Sequence, residues 1–214
     1  MEKWKGIVIM LLLGGLGGYG AWQQKQARDA ANTPFVVRPI KDPSKIPANI
    51  AIQAFVGKPL PAWNIAPKFW MNSAKALNPT DFKGHVTIVE FFRIKCSHCQ
   101  DAAPVMEAMS QQLAPQGLKV VGIHAPSDKD AQENDWNLVA SVCKTQFGLT
   151  YPVAFDEKSK LFKGVYRGQL YPSVFVLNRE GIVVFAQTGF DELHEARLRS
   201  VVKKELAKKE SSTR

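Results

Sequence analysis

The chain has 214 residues, enough for one domain of ordinary size with appendages. Apolar residues make up 45% and charged residues 22%, which argues against a disordered or low-complexity chain and fits one that buries a core. The formal net charge is +9, but the basic residues are dispersed. The one dense run, Lys203, Lys204, Lys208 and Lys209, accompanies no nucleic-acid motif and reads as a solvated helix end and tail, so no nucleic-acid partner is expected. Three cysteines are too few for a disulfide-stapled scaffold.

Residues 1–22 read as an N-terminal membrane anchor. Lys3 and Lys5 precede an uncharged stretch from Gly6 to Trp22, short for a transmembrane helix but long for a signal-peptide core. No convincing cleavage site follows, so an uncleaved signal-anchor is expected. Lys25 and Arg28 balance the two lysines, leaving the positive-inside count tied. A short cytoplasmic N-terminus is the simpler arrangement, and it puts the remainder outside the cytoplasm. Residues 23–56 are first polar and then broken by Pro34, Pro39, Pro43 and Pro47. They read as a tether reaching about 30 Å.

The folded domain is expected over 57–208, with a basic tail at 209–214. Val86–Phe92 is an apolar, β-branched run that fits a strand buried on both faces. A helix follows from Cys96 to about Ala114, with Ala102, Met106, Met109 and Leu113 on one face and Pro104 inside it. Leu118–Ile123 reads as a second buried strand. Residues 129–147 read as a helix with the stripe Trp136, Val139, Ala140, Cys143 and Phe147. Val153–Phe155 is a short strand. Ser173–Leu177 and Ile182–Ala186 flank an Asn-Arg-Glu-Gly turn and read as a β-hairpin. Asp191 caps a last helix to about Lys208. This order predicts an α/β fold, a mixed sheet with helices on both faces, entered through a right-handed crossover.

The chemistry centres on Lys95-Cys96-Ser97-His98-Cys99, after a strand and at a helix start. A helix N-terminus offers free N–H groups and partial positive charge, and both favour a thiolate at Cys96. His98 adds a cation when protonated, and Lys95 adds another. Cys96 is therefore the expected nucleophile. Cys99, a turn deeper, would resolve the mixed disulfide. Glu90, a carboxylate inside an apolar strand, is expected to be buried with a raised pKa and to take the Cys99 proton. Zinc would need two further ligands; Cys143 and His124 are available but lack paired spacing, so no metal and no cofactor is expected. Cys143 on an apolar helix face reads as a small core residue. His124 and His194 read as structural or surface groups.

On these residues the chain resembles the thioredoxin superfamily, and within it the TlpA/ResA-like membrane-anchored thioredoxins. GKPLPAW at 57–63, FKGHVTIVEFF at 82–92, CSHC at 96–99, Pro104, YPVAFD at 151–156 and LYPSVFVLNREGIV at 170–183 carry the resemblance. It implies a thioredoxin-like fold, a buried acid at Glu90 and a cis-proline at Pro172 that faces the cysteines and shapes a substrate groove. It also implies thiol–disulfide exchange on protein substrates, and a membrane partner that resets Cys96 and Cys99. Disulfide reduction facing the periplasm, from the bacterial inner membrane, is the leading expectation. Lys95 stands where many TlpA-like proteins have Trp, and His98 where they have Pro. His98 resembles DsbA-type oxidants, so a disulfide-forming oxidase is the alternative. A redox-inert or metal-chaperone binding module of the same fold is the third reading.

Overall fold

A computed structural model describes residues 50–208. The expected anchor over 1–22, the tether up to residue 49 and the tail from 209 lie outside the described residues. Among the described residues no helix is long and apolar enough to cross a membrane.

Among the described residues six strands form one sheet: β1 (Trp70–Met71), β2 (Val86–Phe92), β3 (Leu118–His124), β4 (Val153–Phe155), β5 (Ser173–Leu177) and β6 (Val183–Thr188), in the order β1-β4-β3-β2-β5-β6. Strands β2, β3 and β4 run parallel, while β1, β5 and β6 are antiparallel to their neighbours. β2 lies at the centre of this sheet with all seven residues buried, as its unbroken apolar run predicts. The hairpin of β5 and β6 closes where Gly181, at φ +81°, donates its N–H to Asn178 O at 2.9 Å. That left-handed backbone favours glycine.

Among the described residues four α-helices accompany the sheet: α1 (Ile50–Gln53), α2 (Ser97–Leu113), α3 (Trp136–Thr145) and α4 (Glu192–Ala207). The helices cover the two faces unequally, which the sequence pattern does not anticipate. Ala102, Met106, Met109 and Leu113 of α2, Val139 and Cys143 of α3, and Leu198 and Val202 of α4 share one core with Ile88, Val120 and Val176. Two successive right-handed crossovers, β2-α2-β3 and β3-α3-β4, run in the same direction across the sheet. They must therefore lay both helices on the same face. Each large side chain buried there contributes about 1.5–3 kcal/mol.

The opposite face, built on Val89, Phe91, Val121, Ile123 and Phe175, is covered by the chain before β2 and by a π-helical segment, Lys160–Val165. Ile52 is fully buried there and Phe55 stacks on Tyr166 at 5.0 Å. The fold thus takes in residues upstream of the Gly57 start that composition suggests. α3 is also shorter than the expected 129–147 helix. Asp135 caps it by accepting from the N–H groups of Asn137 and Leu138, and residues 126–135 form a loop that serves the site.

Candidate active site

β2 delivers the chain into the segment Arg93–Lys95, and α2 begins at Ser97 with Cys96 as its N-cap. The Cys99 and Gln100 N–H groups both donate to Cys96 O at 3.0 Å. Cys96 is half-buried, whereas Cys99 is 1% exposed and packs into the core under α2. Both are free thiols.

The thiol of Cys96 is lowered to about 6. The hydrogen bond from the Cys99 thiol is the largest cause, aided by the Cys99 N–H and by the charges of His98 and Arg93, against the effect of burial. Cys99 moves strongly the other way, through burial first and then its bond to Cys96 and the charge of Glu90. One sulfur is thus a ready anion near neutral pH and its neighbour is a proton-holding thiol. His98 is exposed on the first turn of α2, where its charge reaches Cys96.

Glu90 points to the same side of the sheet as Ile88 and Phe92, the side on which Cys99 lies, because side chains alternate along β2. It is 2% exposed, and its Oε1 has no hydrogen-bond partner among the described residues. Burial, and then the charge on Cys96, pushes it up to about 8. The Tyr171–Pro172 peptide is cis, and Tyr171 O lies 3.8 Å from Cys96 Sγ, within reach of the protonated thiol as an acceptor. Tyr171 also packs at a tilt against Phe162, with ring centroids 4.7 Å apart, and lies under the Arg93 guanidinium.

Sequence reasoning missed Arg93 and Glu133. Arg93 Nη2 and Nε donate to the buried Glu133 Oε2 at 2.6 and 2.8 Å. The Glu133 carboxylate also accepts from the N–H groups of Ser127 and Lys95. Lys95, expected to act near Cys96, is instead paired with Asp130 at 2.7 Å. His124 is fully buried, its Nε2–H donating to Glu133 O at 3.0 Å, and burial lowers it to about 4. Among the described residues, no three His, Cys, Asp or Glu side chains converge as a metal-ligand set. Cys143 is buried in the same core as Cys99, and burial followed by the charge of Glu90 raises it to about 12.

The family model described as the AhpC/TSA family matches residues 56–186. Protein DipZ of Mycobacterium bovis is 25% identical over 116 residues, covering 53% of this chain and 16% of that protein. The thiol-disulfide oxidoreductase ResA of Bacillus anthracis is 26% identical over 121 residues, covering 56% of this chain and 65% of ResA. The chain thus spans less than two thirds of the length of either relative. Among solved structures, a putative thiol:disulfide interchange protein DsbE from Chlorobium tepidum superposes with a TM-score of 0.58 at 21% identity, over 71% of this chain and 97% of that one. A thioredoxin-like protein solved in its oxidised form gives 0.59 at 21%, over 70% and 95%. At such identities these structures establish the thioredoxin-like fold alone.

Proposed function

This chain belongs to the AhpC/TSA family, and on that premise we propose that it is a thiol–disulfide oxidoreductase that reduces disulfides in protein substrates through Cys96 and Cys99. The observation that carries this reading is the asymmetry of the pair. A half-buried sulfur, lowered to about 6, sits over a fully buried thiol beside a buried acid.

The Cys96 thiolate attacks one sulfur of the client disulfide, and the other client sulfur leaves with the electron pair and takes a proton. Glu90 takes the S–H proton of Cys99. The resulting thiolate attacks Cys96 Sγ, the bond from Cys96 to the client breaks, and the client sulfur departs as a thiolate. Two electrons pass to the client, and Cys96 and Cys99 end as a disulfide. Pro172 shapes the groove, and Tyr171 O faces the reacting sulfur. His98 and Arg93 supply positive charge to the thiolate.

The uncharged stretch 6–22 supports an inner-membrane anchor with the domain in the periplasm, where client disulfides occur. A membrane electron-transfer partner would then return Cys96 and Cys99 to thiols. The lowered Cys96 thiol favours a second reading, because stabilising the thiolate stabilises the reduced form and makes the pair a better oxidant. The reduction potential decides between them. A value near about −270 mV, as for thioredoxin, supports reduction, whereas one near about −120 mV, as for DsbA, supports oxidation. The exchange reading itself predicts that C96S abolishes turnover of a protein disulfide and that C99S traps the client on Cys96. Undiminished turnover in C96S overturns it.

A further inference from the structure

Glu90 shares its compartment with a phenol. Its partner across the β2–β3 ladder is Gly122, and a Cβ at that position would meet Phe92 Cε1 at 3.0 Å and Tyr151 Cε2 at 3.3 Å. The absent side chain leaves the space beside Glu90 that the Tyr151 ring fills. Tyr151 is 4% exposed and lies in the same core as Cys99 and Cys143. Its hydroxyl is buried and, like Glu90 Oε1, has no hydrogen-bond partner among the described residues. Two unpaired buried oxygens in one apolar core call for an explanation, because such groups are almost always partnered.

The position of Tyr151 is held from both sides. Asn72 Nδ2 donates to Leu149 O at 2.9 Å and to Tyr151 O at 3.0 Å. The Glu107 carboxylate of α2 accepts from both the N–H and the hydroxyl of Thr150. Packing alone does not require the hydroxyl, since Phe would fill the same space.

We propose that Tyr151 is a positioning residue of the exchange site, whose hydroxyl donates a hydrogen bond to the Glu90 carboxylate when Glu90 is ionised, directly or through one water. This rests on the exchange reading above. The titratable groups electrostatically linked to Glu90 are Cys96, at the N-cap of α2, whose charge raises it, and Cys99 of α2, Cys143 of α3 and Tyr151 before β4, each of which the Glu90 charge raises. Glu107 and Cys143 in turn bear on Tyr151. An ionised sulfur among these opposes a negative Glu90. Tyr151 is the strong donor in the set. Burial, with the charges of Glu90, Glu107 and Cys143, keeps it protonated at any working pH. Tyr151 therefore keeps its proton throughout. It holds the carboxylate available to accept the Cys99 proton while the Cys99 electron pair attacks Cys96.

The test measures resolution of a preformed Cys96–client mixed disulfide by stopped flow from pH 5 to 10 in the full chain, in wild type, Y151F, E90Q and the double variant. Tyr151→Phe is expected to raise the pH midpoint of resolution by about one unit and slow it roughly tenfold at pH 7. The alkylation midpoint of Cys96 should stay in place, and E90Q/Y151F should match E90Q alone. A Y151F midpoint equal to wild type, or a Y151F effect that persists in E90Q, overturns the proposal. Unimpaired resolution in E90Q is a different failure, because it removes Glu90 from the exchange mechanism itself.

Discussion

Glu133 and Arg93 form an ion pair in which the carboxylate is fully buried and the guanidinium is 28% exposed. One anion thereby ties the segment that leads into Cys96 to the loop that follows β3, since it also receives the N–H groups of Lys95 and Ser127. The Arg93 cation is held where it serves two groups at once, the Cys96 sulfur and the Tyr171 ring.

Glu133→Ala should therefore be among the most damaging single changes near the site. It leaves a partly buried cation without its anion and two N–H groups without an acceptor. Removing one partner of a buried pair costs about 3–5 kcal/mol, and partial exposure of Arg93 places this case near about 3 kcal/mol. The shift in urea unfolding midpoint at constant slope measures it. A change under about 1 kcal/mol would mean that the loop is held by other contacts.

The pH dependence of Cys96 alkylation should have its midpoint near pH 6 and vanish in C96S. Three variants should raise that midpoint in a set order: C99A, which removes the side-chain donor, most, then H98A, then R93Q, following the size of each group's effect. The sign for linkage follows from a depressed thiol. The thiolate stabilises the folded, reduced protein fully above the ordinary thiol value of 9.0, and that stabilisation is lost as pH falls through about 6. A flat alkylation profile from pH 5 to 8 would contradict the arrangement.

The sequence made the central strand, the Cys96–Cys99 helix and the hairpin legible because each has a strong local signal: an unbroken apolar run, a 3.6-residue stripe, and Asn-to-Gly between two β-branched segments. Cys96 and Cys99 carry their own spacing, and Glu90 is conspicuous as a charge in an apolar strand. Arg93, Glu133 and Tyr151 are visible only in three dimensions. Glu133 lies in a polar stretch that reads as the start of a helix, and nothing local shows that Asp135 begins the helix while Glu133 turns inward to a group forty residues away. Tyr151 looks like an ordinary aromatic ahead of a strand until Gly122 is seen beneath it. Ile52 lies in a Pro-broken segment whose composition resembles a tether, and its burial is a tertiary fact.

Ile52→Ala tests whether the segment before Gly57 belongs to the folding unit. Ile52 is fully buried in the core on the far face from Cys96, and the neighbouring Gln53 donates to Ala186 O at 2.6 Å. A fully buried Ile→Ala change costs about 2–5 kcal/mol. Thermal or urea unfolding of the variant reads it directly, and wild-type stability would show that this turn is a detachable appendage. The change should leave the Cys96 alkylation midpoint unmoved, since the sheet separates the two.

Glu90 should shape how stability depends on pH. It is raised from 4.5 to about 8, by burial first and by the Cys96 charge second, so the folded state holds its proton more tightly than the unfolded chain. Its contribution is therefore fully present below pH 4.5 and is lost as pH rises through about 8. Glu90→Gln, which cannot ionise, should lose this dependence. The variant should gain on wild type steadily between pH 5 and 8, ending several kcal/mol ahead in unfolding free energy. Cys96 acts in the opposite sense between about 6 and 9, so the comparison is best read as the difference between E90Q and wild type, both reduced. Parallel stability curves across that window would place Glu90 in contact with water and remove it as the base for Cys99. The same variant should resolve mixed disulfides slowly while still forming them at the wild-type rate, because the first attack needs only the Cys96 thiolate.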